Sequence, residues 1–100
     1  MDVQIQSIHF DADNKLIEFT KRKVGKLSQF YDKIIDIDVY FKLDDPKAPV
    51  REKVTHVKVH IPGSTLYCEK SSSSFEESID NAVDSLTRQL KKHKEKVRGN

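Results

Sequence analysis

Six basic residues and a single acid, Glu95, fill the segment Arg88 to Arg98, RQLKKHKEKVR. The segment just before it, Phe75 to Asp84, carries four acids and no base. Lysine and arginine bring phosphate-binding chemistry, lysine as a point charge and arginine as a two-pronged hydrogen-bond fork. The net charge is only +2 over 100 residues, so positive charge is concentrated here rather than abundant. A concentrated basic surface on a small domain fits a polyanionic partner, most often nucleic acid. The competing reading is a solvated helix end whose lysines complement the macrodipole. The separation of acid from base within one run favours phosphate binding.

The other reactive side chains assemble no active site. His56 and His60 point the same way on one strand, but at about 3.3 Å per residue they stand roughly 13 Å apart. That is too far for one metal ion without further ligands. His93 sits among lysines, which suits a neutral or nucleic-acid-facing imidazole better than a catalytic base. Cys68 takes an inward strand position as a small core residue, and a lone cysteine forms no internal disulfide. Asp36 and Asp38 share a face about 7 Å apart, the spacing of alternate residues on a strand, and read as its polar side. No Gly-rich phosphate loop is present. Catalytic residues, metal ligands and cofactors are therefore not expected.

The elements that must position the basic residues follow from periodicity. Val3 and Ile5 alternate with polar residues in a strand over residues 2–9. Asp13 caps a helix over about residues 14–31, with Leu16, Phe19, Val24, Leu27, Phe30 and Tyr31 on its buried face. Ile35, Ile37, Val39, Phe41 and Leu43 alternate in the clearest strand. DDPKAPVRE, residues 44–52, is a loop with two prolines. Val57, Val59 and Ile61 mark a third strand. The Pro62-Gly63-Ser64 turn leads to a fourth, at about 65–70, with Leu66 and Cys68 inward and Tyr67 and Glu69 outward. Ser74-Phe75-Glu76-Glu77 forms a capping box. It opens a helix whose apolar face runs through Phe75, Ile79, Ala82, Val83, Leu86, Leu90 and Val97. The expected fold is α+β, a two-layer sandwich in the order β-α-β-β-β-α, with both helices on one face of a four-stranded sheet.

At 100° per residue, Lys15, Arg22, Lys26 and Lys33 fall within about 20° of one line on the first helix, flanking its apolar face. Lys23 lies closer to that face and snorkels. On the last helix Arg88, Lys91, Lys92 and Lys96 point away from the apolar stripe. The two helices leave a groove between them that these cations border.

Composition narrows the class. With 36% hydrophobic and 34% charged residues, and only three Gly and three Pro, the chain fits one small soluble domain over residues 1–100, with 98–100 a frayed tail. Apolar runs are too short to span a membrane. MDVQIQSIHF lacks the basic and apolar regions of a signal peptide, so a cytoplasmic location is expected.

Three stretches also carry a family likeness. They are the strand VQIQSIHF with a helix ending KRKVGKLSQF, the hairpin turn HIPG, and SFEESIDNAVDSLTRQLKKHKEK. In the last, an acid-rich first turn and an Ile-Asp pair precede L-x-x-Q-x-x-K-x-K. The chain resembles the ribosome hibernation-promoting factors, also called ribosome-associated inhibitor A or sigma-54 modulation proteins, in their short form. It departs at Ser71–Ser74 and Phe75, where members often carry an acid and a tyrosine. The resemblance implies a single ribosome-binding domain that inhibits translation in idle ribosomes from the decoding channel of the small subunit. Its partner would be ribosomal RNA, in competition with mRNA and tRNA. It would be a monomer off the ribosome, with no cofactor, catalysis or membrane partner. The family's basic positions map onto Lys23 and Lys26, and onto Arg88, Lys92 and Lys96. The helical wheel alone adds Lys15, Arg22, Lys33, Lys91 and Lys94.

Two other functions fit the same residues. One is a general double-stranded RNA-binding module, since two helices on one face of a sheet occur there too. The other is a regulator of transcription that binds an acidic protein.

Overall fold

The computed structural model describes residues 1–43, 47 and 52–97. Most of the expected loop over 44–52, and the expected tail over 98–100, lie outside the described residues. The elements are β1 (Asp2–Ile8), α1 (Asn14–Gly25), a 3₁₀ segment (Lys26–Gln29), β2 (Asp36–Leu43), β3 (Lys53–Ile61), β4 (Ser64–Ser72) and α2 (Phe75–Val97). The expected β-α-β-β-β-α order holds.

The strands form one mixed sheet in the order β1-β2-β3-β4. β1 and β2 pair in parallel because α1 carries the chain back between them, whereas β2, β3 and β4 pair antiparallel. The register sets the inner face: Val3 beside Ile37, Ile5 beside Val39, then Val39 beside Val57 and Val57 beside Cys68. Alternation sends Asp36, Asp38, Tyr40, His56, Lys58, His60, Tyr67 and Glu69 to the other face, which no helix among the described residues covers.

Both helices contribute to the same core. Val24 and Leu27 from the first helical stretch, and Ile79, Ala82, Leu86 and Leu90 from α2, are fully buried with Ile37, Val39, Phe41, Val57 and Val59. Each large apolar side chain so buried contributes about 1.5–3 kcal/mol. α2 is fastened at its start. Ser74 Oγ accepts from the Glu77 amide at 3.1 Å, the expected cap. Phe75 stacks on Phe10 at 5.0 Å between ring centroids and meets Phe41 edge-on at 4.9 Å. The buried Ser78 hydroxyl lies 2.5 Å from Thr55 Oγ1 and joins α2 to β3. In the hairpin, Gly63 takes φ 77°, the positive value a type II turn requires at that place, and Pro62 suits the position before it.

Several details differ from expectation, beginning with β1, which ends at Ile8 rather than at residue 9. The first α-helix stops at Gly25 rather than near residue 31 and tightens into the 3₁₀ segment. There Ser28 Oγ donates to the Gly25 carbonyl at 2.8 Å, and the amides of Phe30 and Tyr31 both turn back to the Leu27 carbonyl. A helix-weakening glycine followed by a back-bonding serine accounts for the change. Ile35 lies outside β2 and is 57% exposed, although its amide donates to the His60 carbonyl. Val97 is 61% exposed because the 23-residue α2, about 34 Å at 1.5 Å per residue, runs past the sheet. β4 extends through Ser72 rather than ending near residue 70.

Candidate functional site

Nine of the ten expected phosphate-binding residues fall into three groups, and Lys23 is set apart from them. Lys15 and Arg22 share a shallow recess on α1 with Asn14, Glu18 and Phe19, and Lys26 follows in the 3₁₀ segment. Lys15, Arg22 and Lys26 are all exposed. Lys33 leaves this stripe, because the helix it was projected onto has already ended. It lies in a turn and lines a recess with Tyr31, Asp32, Lys94 and Val97. The structure thus brings Lys33 to the end of α2 instead, beside the half-buried Lys94.

On α2, Arg88, Lys91, Lys92 and Lys96 are exposed. Lys92 and Lys96 line an open recess of about 520 Å³ with Gln89, His93, Ser64 and Leu66, on the side facing β4. Gln89 Nε2 donates to the Tyr67 carbonyl at 3.2 Å, so α2 partly covers the free edge of β4. Lys91 faces the other way, with Nζ 5.5 Å from the Phe30 ring centre. His93 meets Tyr31 edge-on at 5.4 Å, packing the end of α2 against the chain that follows α1. The half-buried imidazole is a packing group here.

Lys23 stands apart from the other nine. Its Nζ lies 3.1 Å from Asp80 Oδ1, bridging α1 and α2, and 5.4 Å from the Phe19 ring centre. It is a clamp between the helices that also carries charge to their shared surface. Arg22 lies over the same ring at 5.6 Å. The sequence reading treated Phe19 and Phe30 as core residues. Both are only half-buried, and each serves as a platform holding cations at the rim. For Phe19 the signal was available, since Arg22 and Lys23 follow it by three and four residues on one helix face.

On the uncovered sheet face, the strand register brings together side chains that the sequence treats separately. His56 Nδ1 lies 2.6 Å from the Tyr67 hydroxyl, and His56 Nε2 lies 3.1 Å from Glu69. Burial, followed by the charges of Glu69 and Cys68, holds the Tyr67 phenol above its ordinary value of 10.0, so it remains neutral at physiological pH. His60 Nε2 sits 3.1 Å from Asp38 Oδ2 and 3.6 Å from Asp36 Oδ1. Among the described residues no helix is long and apolar enough to cross a membrane.

Known proteins share this architecture. The profile of the sigma-54 modulation protein / S30EA ribosomal protein family matches residues 3–98. The ribosome hibernation promoting factor of Escherichia coli K12 is 31% identical over 101 residues, covering 98% of each chain. That of Pseudomonas putida is 30% identical over 96 residues, covering 96% of this chain and 89% of the relative. Among solved structures, a ribosomal subunit interface protein from Coxiella burnetii superposes with a TM-score of 0.82 at 26% identity, covering 94% of this chain and 98% of that one. The N-terminal domain of Thermus thermophilus Protein Y shares the fold with a TM-score of 0.80 at 20% identity, covering 93% and 99% of the two chains. By its near-complete match to the family profile and its full-length relatives, the chain belongs to the sigma-54 modulation protein / S30EA ribosomal protein family.

Proposed function

We propose that the protein is a non-enzymatic, ribosome-binding inhibitor of translation that occupies the decoding channel of the small subunit in idle ribosomes. The observation that carries this reading is the placement of the cations. Lys15, Arg22 and Lys26 stand exposed on the first helical stretch, and Arg88, Lys91, Lys92 and Lys96 on α2. The two stretches pack against each other on the same sheet. Such a surface meets ribosomal RNA through phosphate, where charge gives affinity and shape gives position. Relatives named for ribosome hibernation, and a structural neighbour named for the ribosomal subunit interface, support the ribosome as the partner.

Inhibition here is occupancy. The rigid core holds the two helical stretches in a fixed relation, so the domain docks as one body and its bulk excludes mRNA and tRNA. No side chain has to move a proton or form a bond. Lys23 contributes twice: its ion pair with Asp80 sets the spacing of the helices, and its charge adds to the surface. The place of action is the cytoplasm, where ribosomes are.

Co-sedimentation of the purified protein with small subunits, large subunits, a free RNA duplex and RNA polymerase tests the reading. Retention by small subunits alone supports it. Equal retention by the duplex indicates a general double-stranded RNA-binding module, and retention by RNA polymerase alone indicates a transcriptional regulator.

A further inference from the structure

The uncovered face of the sheet carries a cluster that ribosomal RNA binding by the helices does not use. Asp36 and Asp38 alternate on β2, and His60 lies opposite Asp36 in the register with β3. One donor atom from each lies within 4.8 Å of the others. His60 Nε2 is 3.1 Å from Asp38 Oδ2 and 3.6 Å from Asp36 Oδ1.

A hydrogen-bonded imidazole does not account for this arrangement. Nε2 carries at most one proton, and the 3.1 Å contact to Asp38 uses it. Asp36 Oδ1 is then left buried with no hydrogen-bond partner among the described residues. The side chain as a whole is 42% exposed, but this one oxygen is cut off from water, and a buried acceptor without a partner is costly. Lys58, the register partner of Asp38, forms no ion pair with it among the described residues. Asp2 lies beside Asp36 on β1 and adds a third carboxylate to the same corner of the sheet.

A divalent cation satisfies all three donors at once. Ligands about 2.0–2.1 Å from a tetrahedral ion are separated by about 3.3–3.4 Å, a separation that the two measured spacings of 3.1 and 3.6 Å bracket. The imidazole is also oriented for the task. Its Nδ1 lies 3.2 Å from Thr65 Oγ1, which can accept the Nδ1 proton and so direct the Nε2 lone pair at the carboxylates. Two carboxylates with one imidazole suit a first-row transition ion such as zinc, while magnesium and calcium prefer oxygen donors alone. The half-exposed position leaves room for water in the remaining coordination place.

We infer that Asp36, Asp38 and His60 form a three-ligand site for a divalent transition-metal ion, of which zinc is the type, tying β2 to β3 on the open face of the sheet. The site stands independently of the proposed ribosomal function.

The test is isothermal titration calorimetry of the untagged, chelator-treated protein with zinc chloride, and with magnesium chloride in parallel. One zinc per chain is expected, with no magnesium uptake at the same concentration. D38N and H60Q should each weaken zinc binding at least tenfold. H56Q, which alters the neighbouring His56–Glu69 pair, should leave it unchanged. In proton–nitrogen spectra of the histidine side chains, zinc should move the His60 Nε2 signal. Circular dichroism of each variant confirms that a loss of binding is not a loss of fold. Absence of stoichiometric zinc binding by the wild-type protein overturns the inference. Undiminished binding by D38N and H60Q, or an equal loss in H56Q, overturns it as well.

Discussion

Neutralising Arg88, Lys92 and Lys96 to alanine separates phosphate binding from the simpler idea that these residues only decorate a helix end. If about six phosphates are neutralised in the complex, log K falls against log salt with a slope of about −4 to −5. Each lost contact removes about 0.7–0.9 from that slope, so the triple variant should show a slope of only about −2. The competing effect is on stability. Cations near a helix C-terminus contribute about 0.3–1 kcal/mol each through the macrodipole, and all three residues are exposed. Among the described residues the ion pair made by a helix cation is Lys23–Asp80, so the triple variant breaks none. Alanine also keeps helix propensity high. The fold should therefore survive with a modest loss, verified by denaturant titration. Small-subunit binding is then measured at several salt concentrations. A double variant of the sheet-face residues Lys42 and Lys58, both exposed on the other side, serves as a control that leaves the slope unchanged. An unchanged slope in the folded triple variant would refute phosphate contact by this arc of α2.

Three further outcomes are expected. Phe75→Ala should cost about 3–5 kcal/mol, since it removes a buried ring packed between Phe10 and Phe41, and Ser74→Ala about 1 kcal/mol; urea titration distinguishes the two. Lys23→Ala and Asp80→Ala should be non-additive in a double-mutant cycle, with a coupling of about 0.2–1 kcal/mol, while Lys26→Ala should leave stability within error and weaken subunit binding; zero coupling would remove Lys23 from its role as a clamp. Gly63→Ala should lower stability by about 1–2 kcal/mol, because a side chain at φ 77° is strained even though nothing crowds it, and a neutral result would mean the turn can change type.

The apolar pattern made most of the fold legible. Strict alternation in β2 and β3 set which residues face the core, and the Ser74 cap and Pro62-Gly63 turn named their own positions. What escaped the sequence depended on pairing or on competition between local bonds. The first helix looked longer than it is because Leu27 and Tyr31 keep the apolar spacing through the 3₁₀ segment, and both are buried. Lys33 was projected onto a helix that had already ended. On the candidate surface, the cations themselves were visible as a charge run, but the clamp from Lys23 to Asp80 spans two helices and follows from no local spacing. His60 meets Asp36 and Asp38 only through the β2–β3 register, and for that reason a pair of histidines on one strand concealed it. Phe19 and Phe30 read as core because hydrophobicity does not separate a buried ring from one at the rim.

Reciprocal exclusion between the protein and the ligands of the decoding channel tests the account most directly. Linkage requires that if the protein weakens mRNA or tRNA binding, those ligands weaken the protein's binding by the same factor. The measurement is a titration of the protein against empty small subunits and against small subunits carrying mRNA and initiator tRNA. The account predicts markedly weaker binding to the loaded subunits; equal affinity for both would contradict it.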